Sequence, residues 1–214
     1  ALVRAQAVSL GAHAMRIVAH GNVVPARQVA LAAQVGGRVV EVHPQLERGG
    51  RLMAGDDALK IDRRDYALVV SEAKARVAQA EHDLVLERGR REVAEREWSM
   101  LGKEGEQGSL AMRAPQKVLA IARLEAAKAG LSRARLDLER TRVEVPFNAL
   151  VREESVEIGQ VLSRGGPVAT LLGTDAFWVE ASLPVSDLAW LEIPGGAAVV
   201  RATGVQKTGT VLRV

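Results

Sequence analysis

The chain has 214 residues, 48% of them hydrophobic but only 3% aromatic, a composition that is globular yet too poor in aromatic side chains for one large core, which points to several small modules. Its 29 basic and 26 acidic residues leave a net charge of +3, and because the two signs are interleaved they leave no basic stripe for nucleic acid. The lack of cysteine excludes disulfides, thiolate metal sites and cysteine nucleophiles, and no run approaches the ~18 apolar residues of a membrane span.

The first strongly patterned segment covers residues 23–64. It contains Val29-Ala30-Leu31, Val35-Gly36-Gly37-Arg38-Val39, Gly49-Gly50-Arg51-Leu52, Gly55-Asp56 and Leu59-Lys60-Ile61-Asp62. Apolar and polar residues alternate over short runs punctuated by glycine, as in half-buried strands joined by tight turns. Gly37 and Gly55 are expected where the backbone turns with positive φ or lies close to another segment.

From Asp65 to Thr141 the period lengthens to about three and a half residues, that of a coiled coil. Val70, Ala73, Val77, Ala80 and Leu84, then Ala94, Trp98 and Leu101, form a seam with Glu87 and Arg91 as polar interruptions. The steps resume at Ala120, Leu124, Ala127, Leu131, Ala134, Leu138 and Thr141. Two facing seams predict an antiparallel coiled-coil hairpin over residues 65–141, with Leu124, Leu131 and Leu138 opposite Val77, Ala80 and Leu84. Its fold-back is expected at the glycine cluster Gly102 to Gly108, and the descending helix is expected to restart at Pro115, since proline is tolerated in a first turn. An arm of ~35 residues at ~1.5 Å each reaches ~50 Å, which suits contact at a distance better than catalysis.

Residues 142–173 repeat the first pattern in Val143-Glu144-Val145-Pro146-Phe147, Leu150-Val151, Gly159-Gln160-Val161-Leu162, Gly165-Gly166 and Val168-Ala169-Thr170-Leu171. One such unit has too few strands to bury its own apolar face, so the two copies should close on each other as one small sandwich. In residues 174–214, Phe177 to Pro184 reads as a strand, Val185 to Leu191 as a short helical turn, and Ala197-Val199-Arg201 as the start of another strand.

These residues resemble the periplasmic adaptor subunits, or HlyD/AcrA-like membrane fusion proteins, of tripartite efflux systems. Val35-x-Gly37-x-Val39 with Gly50-x-Leu52-x-x-Gly55-x-x-x-Leu59-x-Ile61-Asp62 is similar to the first half of the family's biotinyl-lipoyl-like domain. Leu138-x-x-Thr141-x-Val143-x-Val145-Pro146-Phe147-Asn148 resembles its helix-exit motif, with Val145 and Ala149 where the family usually carries Ala and Gly. Arg113-Ala114-Pro115-Gln116 and the Ala-rich heptads behind it resemble adaptors of resistance-nodulation-division pumps.

The resemblance implies an α+β modular fold, in which a lipoyl-like β-sandwich carries an inserted α-hairpin and leads into part of a β-barrel. Residues 1–22 would be the first barrel strand and lead-in, and 174–214 the partial barrel domain. It further implies a periplasmic protein held to the inner membrane by an N-terminal anchor outside this chain. That protein would bridge a resistance-nodulation-division pump and a TolC-like channel, and assemble as a ring of three or six copies, for efflux of drugs or other small molecules. Relatives bind the channel through Arg-x3-Leu-x6-Ser near the hairpin tip. The nearest match here is Arg96-x3-Met100, with Gln107 at the serine position and Ser109 two residues later, so Arg96, Met100 and Ser109 are the candidate channel-binding residues.

The other residues give little sign of chemistry. His13, His20, His43 and His82 show no ligand spacing, the four Met are scattered, and Asp56, Asp57 and Asp62 fit turn and capping roles. No Gly-x-Ser-x-Gly, phosphate loop or dinucleotide fingerprint occurs. The residues therefore imply no enzyme, cofactor or metal. Three other readings stay open: a lipoyl or biotin carrier, whose modified lysine would sit where this chain holds its helices; an adaptor of another transporter class; and a cytoplasmic coiled-coil scaffold.

Overall fold

A computed structural model describes residues 3–4, 15–100, 113–202 and 205–211. In chain order these form β1 (His20–Pro25), β2 (Gln28–Ala32), β3 (Gly37–Val42), β4 (Arg51–Leu52), β5 (Asp57–Ile61) and the long helix α1 (Arg64–Met100). Then follow α2 (Ala114–Glu139), β6 (Arg142–Glu144), β7 (Ala149–Glu154), β8 (Val161–Leu162) and β9 (Pro167–Gly173). The last elements are β10 (Phe177–Ser182), the short α3 (Val185–Leu188), β11 (Ala197–Ala202) and β12 (Val205–Thr210). Residues 25–176 make one compact unit, and residues 1–24 with 177–214 make another.

The larger unit is the expected sandwich with its hairpin. Two four-stranded sheets run β2-β9-β7-β4 and β6-β5-β3-β8, so each sheet takes two strands from either half of the repeat. Exchanging β2 with β6, β3 with β7, β4 with β8 and β5 with β9 turns one sheet into the other. Even the irregularity is duplicated: β3 bulges after Val39 and β7 after Val151, each facing the last strand of its own half. Between the sheets Val39, Leu59, Ile61, Val151, Val168 and Leu171 are all at most 1% exposed. Burying this core needs both halves, because the strands at the centre of one sheet belong to different halves from their edge neighbours.

Two glycines explain themselves. Gly37 has φ 149°, and a Cβ there would lie 2.6 Å from Ile61 Cγ2; Gly55 sits in open space, but its φ of 88° is repeated at 82° by its counterpart Gly165. Close approach fixes the first and backbone conformation the second.

Helix α1 leaves the sandwich through a tied-down first turn. Asp62 Oδ1 accepts the Arg64 backbone N–H at 3.1 Å and the carboxylate takes the Arg64 guanidinium at 2.6–3.1 Å, while the Tyr66 hydroxyl donates to the Gly36 carbonyl at 2.6 Å. The Arg64 fork on Asp62, and then the backbone N–H, bring its carboxyl down to about 2. At the other end Thr141 Oγ1 donates to the Leu138 carbonyl at 2.7 Å and closes α2.

In the smaller unit β1 lies beside β10, and β11 pairs antiparallel with β12. These strands and α3 supply the expected portion of a barrel domain.

Candidate partner-binding site on the hairpin

The periodicity of the sequence becomes the contact surface of the two helices. Ala80 and Leu84 pack with Ala120 and Leu124, and Val70 and Ala73 pack with Ala134. As α1 is followed back from 84 to 70, α2 runs forward from 120 to 134, so the helices are antiparallel. The facing of leucines differs from the expectation in one respect: Leu124 meets Ala80 and Leu84, whereas Leu131 and Leu138 lie against Val70 and Ala73. An antiparallel pair spreads successive α2 layers down the whole of α1, so three leucines that span two heptads cannot share one short stretch of it.

Pro115 falls in the first turn of α2 as expected, and α2 opens on Arg113 in the left-handed region, φ 57°. That residue makes the contact that sequence reasoning missed. Glu87, read as a polar gap in the seam, is 7% exposed and receives the Arg113 guanidinium, Nε to Oε1 at 2.7 Å and Nη2 to Oε2 at 3.0 Å. Arg90 stands 3.9 Å away on the same carboxylate. The Arg113 hydrogen bonds hold the Glu87 carboxyl below its usual range, and the pair raises the Arg113 guanidinium in return. The available signal was spacing: Arg113 is one heptad ahead of Ala120, hence at a seam position on the opposing helix.

Beyond this pair, Arg91, Ala94 and Trp98 remain half-buried at seam positions, while Arg96 and Met100 lie outside the seam. The Arg96 guanidinium is paired with Glu92 one turn back, two-thirds exposed, and Met100 is 85% exposed. The structure thus places these two candidates on accessible faces of the last turns of α1. Ser109, Gln107, Leu101 and the expected fold-back from Gly102 to Gly108 lie outside the described residues. Among the described residues, no group of three or more His, Asp or Glu is placed to hold a metal ion, and no helix is long and apolar enough to cross a membrane. The shallow hollow of about 190 Å³ on the hairpin flank is lined mainly by Val69, Ala73, Ala126, Ala127, Gly130 and Ala134, with Glu72 and Arg76 at its rim.

No protein-family model matches the chain. It is similar to the multidrug resistance protein MdtA of Yersinia enterocolitica, with 26% identity over 172 residues, 78% of this chain and 38% of that protein. The membrane fusion protein Spr0693 of Streptococcus pneumoniae superposes with a TM-score of 0.65 at 17% identity, covering 92% of this chain and 82% of that one. A MacA-MexA chimera carrying the Pseudomonas aeruginosa MexA α-hairpin domain gives 0.62 at 18% identity, covering 92% and 66%. The chain spans roughly a third to a half of the length of the curated relatives it matches. The resemblance read from the residues therefore stands in both comparisons, and the chain has the fold of the membrane fusion proteins: a lipoyl-like sandwich, an inserted helical hairpin and part of a barrel.

Proposed function

We propose that this chain is the adaptor part of a tripartite efflux assembly in the periplasm. There it joins an inner-membrane pump of the resistance-nodulation-division type to a TolC-like outer-membrane channel, for export of drugs or other small molecules. The observation that carries this reading is mechanical. One sandwich, closed only when both halves are present, holds a helix of 37 residues that rises ~55 Å at ~1.5 Å per residue. The arm is anchored at its base by Asp62, Arg64 and Tyr66, and it presents exposed polar side chains at its far turns. Such a device positions a partner. The similarity to a multidrug resistance protein supports efflux as the process. Self-association into a ring follows from the role, because a channel has to be continuous around its axis.

The experiment is crosslinking in intact cells from a photoreactive residue at position 96 or 100, with mass spectrometry of what is captured. Capture of an outer-membrane channel is expected. Capture only of cytoplasmic proteins would overturn the reading in favour of a coiled-coil scaffold.

A further inference from the structure

The internal repeat makes the sandwich its own control. The backbone places segment 158–161 along β3 and segment 48–51 along β7 by the same bonds. Gly159 N–H donates to the Val39 carbonyl and Val39 N–H to the Gln160 carbonyl, both at 2.8 Å; Gly49 N–H donates to the Val151 carbonyl at 2.8 Å and Val151 N–H to the Gly50 carbonyl at 2.9 Å. Equivalent core positions kept apolar side chains, as at Val39 and Val151 or Leu52 and Leu162. Equivalent surface positions did not. Val40, Ile158 and Val161, exposed by 44, 68 and 73%, correspond to Arg152, Arg48 and Arg51, all exposed.

One edge is thus apolar and flanked by Glu154 and Glu157; the other is cationic. The carboxylates of Glu154 and Glu157 and the guanidinium groups of Arg48, Arg51 and Arg152 have no ion-pair partner among the described residues. Three charges run against the trend, Glu47 and Glu153 on the basic edge and Arg38 beside Val161, and they leave each edge with its net sign.

We infer that these two edges are the two sides of one contact between copies of this chain, the 154–161 edge of one copy seating on Arg48, Arg51 and Arg152 of the next. Arginine suits both parts of the opposing edge, since its aliphatic stem covers apolar surface while its fork takes a carboxylate. Copies meeting through the same edge would set arginine against arginine or glutamate against glutamate, so the contact joins unlike edges. Unlike edges repeat head to tail, and they close into a ring where the rotation permits. The inference rests on the self-association proposed above and adds which surfaces carry it.

The native chain has no cysteine, so Glu47→Cys and Ser155→Cys place single thiols beside the two edges without removing a contact residue. Oxidation of a mixture of the two variants should give disulfide-linked dimers in several-fold excess over either variant alone. That excess should disappear in about 1 M salt, where charges are screened beyond ~3 Å, and on adding Glu154→Arg and Glu157→Arg to the Ser155→Cys chain. Equal linking within each variant alone would overturn the inference, as would no linking in the mixture. Sedimentation velocity on the unmodified chain separates the causes: oligomers without mixed disulfides mean that other surfaces associate, and monomers throughout mean that the self-association itself is wrong.

Discussion

Asp62 and Glu87 hold the base and the upper end of the described stem, and both carboxyls are depressed by an arginine, Arg64 and Arg113 respectively. A carboxyl whose folded-state pKa lies below its unfolded value of ~3.9–4.3 contributes fully above that value, and the contribution fades as pH falls through the folded pKa. For Asp62 the window is therefore between about pH 4 and about 2. Asp62→Asn should flatten the stability of the chain against pH within that window and lower the thermal melt at pH 7, as followed by circular dichroism. Glu87 allows a sharper comparison. Arg113→Ala leaves a buried carboxylate with no cation but Arg90 at 3.9 Å, and should lower the melting temperature more than the double change Glu87→Leu with Arg113→Leu, which fills the same seam layer with apolar side chains. A double variant less stable than Arg113→Ala would show that the pair contributes more than it costs. The polar character of position 87 was legible in the sequence, but its partner was not, because a heptad pattern tells which residues face inward and not which of them meet across the seam.

At the scale of elements, the hairpin stands on a few small layers. Leu124 is 8% exposed among Ala80, Leu84 and Ala120, and Leu124→Ala should cost about 2–4 kcal/mol in chemical denaturation. Leu136 lies on the outer side, 42% exposed, and its change to Ala should cost under about 0.5 kcal/mol. Equal losses at both would mean that the seam does not hold the helices together. In the sandwich, Gly55→Val forces a β-branched residue into φ 88° and should destabilise by about 1–3 kcal/mol although the site has open space. Because every sheet draws strands from both halves, peptides covering 25–62 and 141–176 should each lack strand signal in circular dichroism and gain it on mixing. The repeat made this closure readable, since two half-motifs that cannot bury themselves leave one solution. What periodicity could not supply was the interleaved strand order, which depends on pairings between residues about 80 to 145 positions apart.

At the scale of the molecule, the fold was legible because three patterns of different period follow one another in a distinctive order, and a chain with that order has few ways to be built. The candidate binding residues were less so: a motif of three side chains is only partly matched here, and Ser109 lies outside the described residues. Arg96 is the member that can be argued through. Its pair with Glu92 is an exposed i, i+4 contact of the kind worth about 0.3–0.5 kcal/mol, so a partner's carboxylate or carbonyl can take the guanidinium at little cost. The residue is off the seam, so its replacement leaves the layers from Val70 to Trp98 intact. Arg96→Asp should therefore abolish efflux-dependent resistance in cells while the melt of the purified chain stays within a degree or two of wild type. Arg96→Lys, which keeps the charge and loses the planar fork, should be intermediate. A resistance level unchanged in Arg96→Asp would mean that docking uses other groups of the far turns, with exposed Met100 the next to test. A loss of resistance accompanied by a lowered melt would instead place Arg96 in the stability of the arm rather than in recognition.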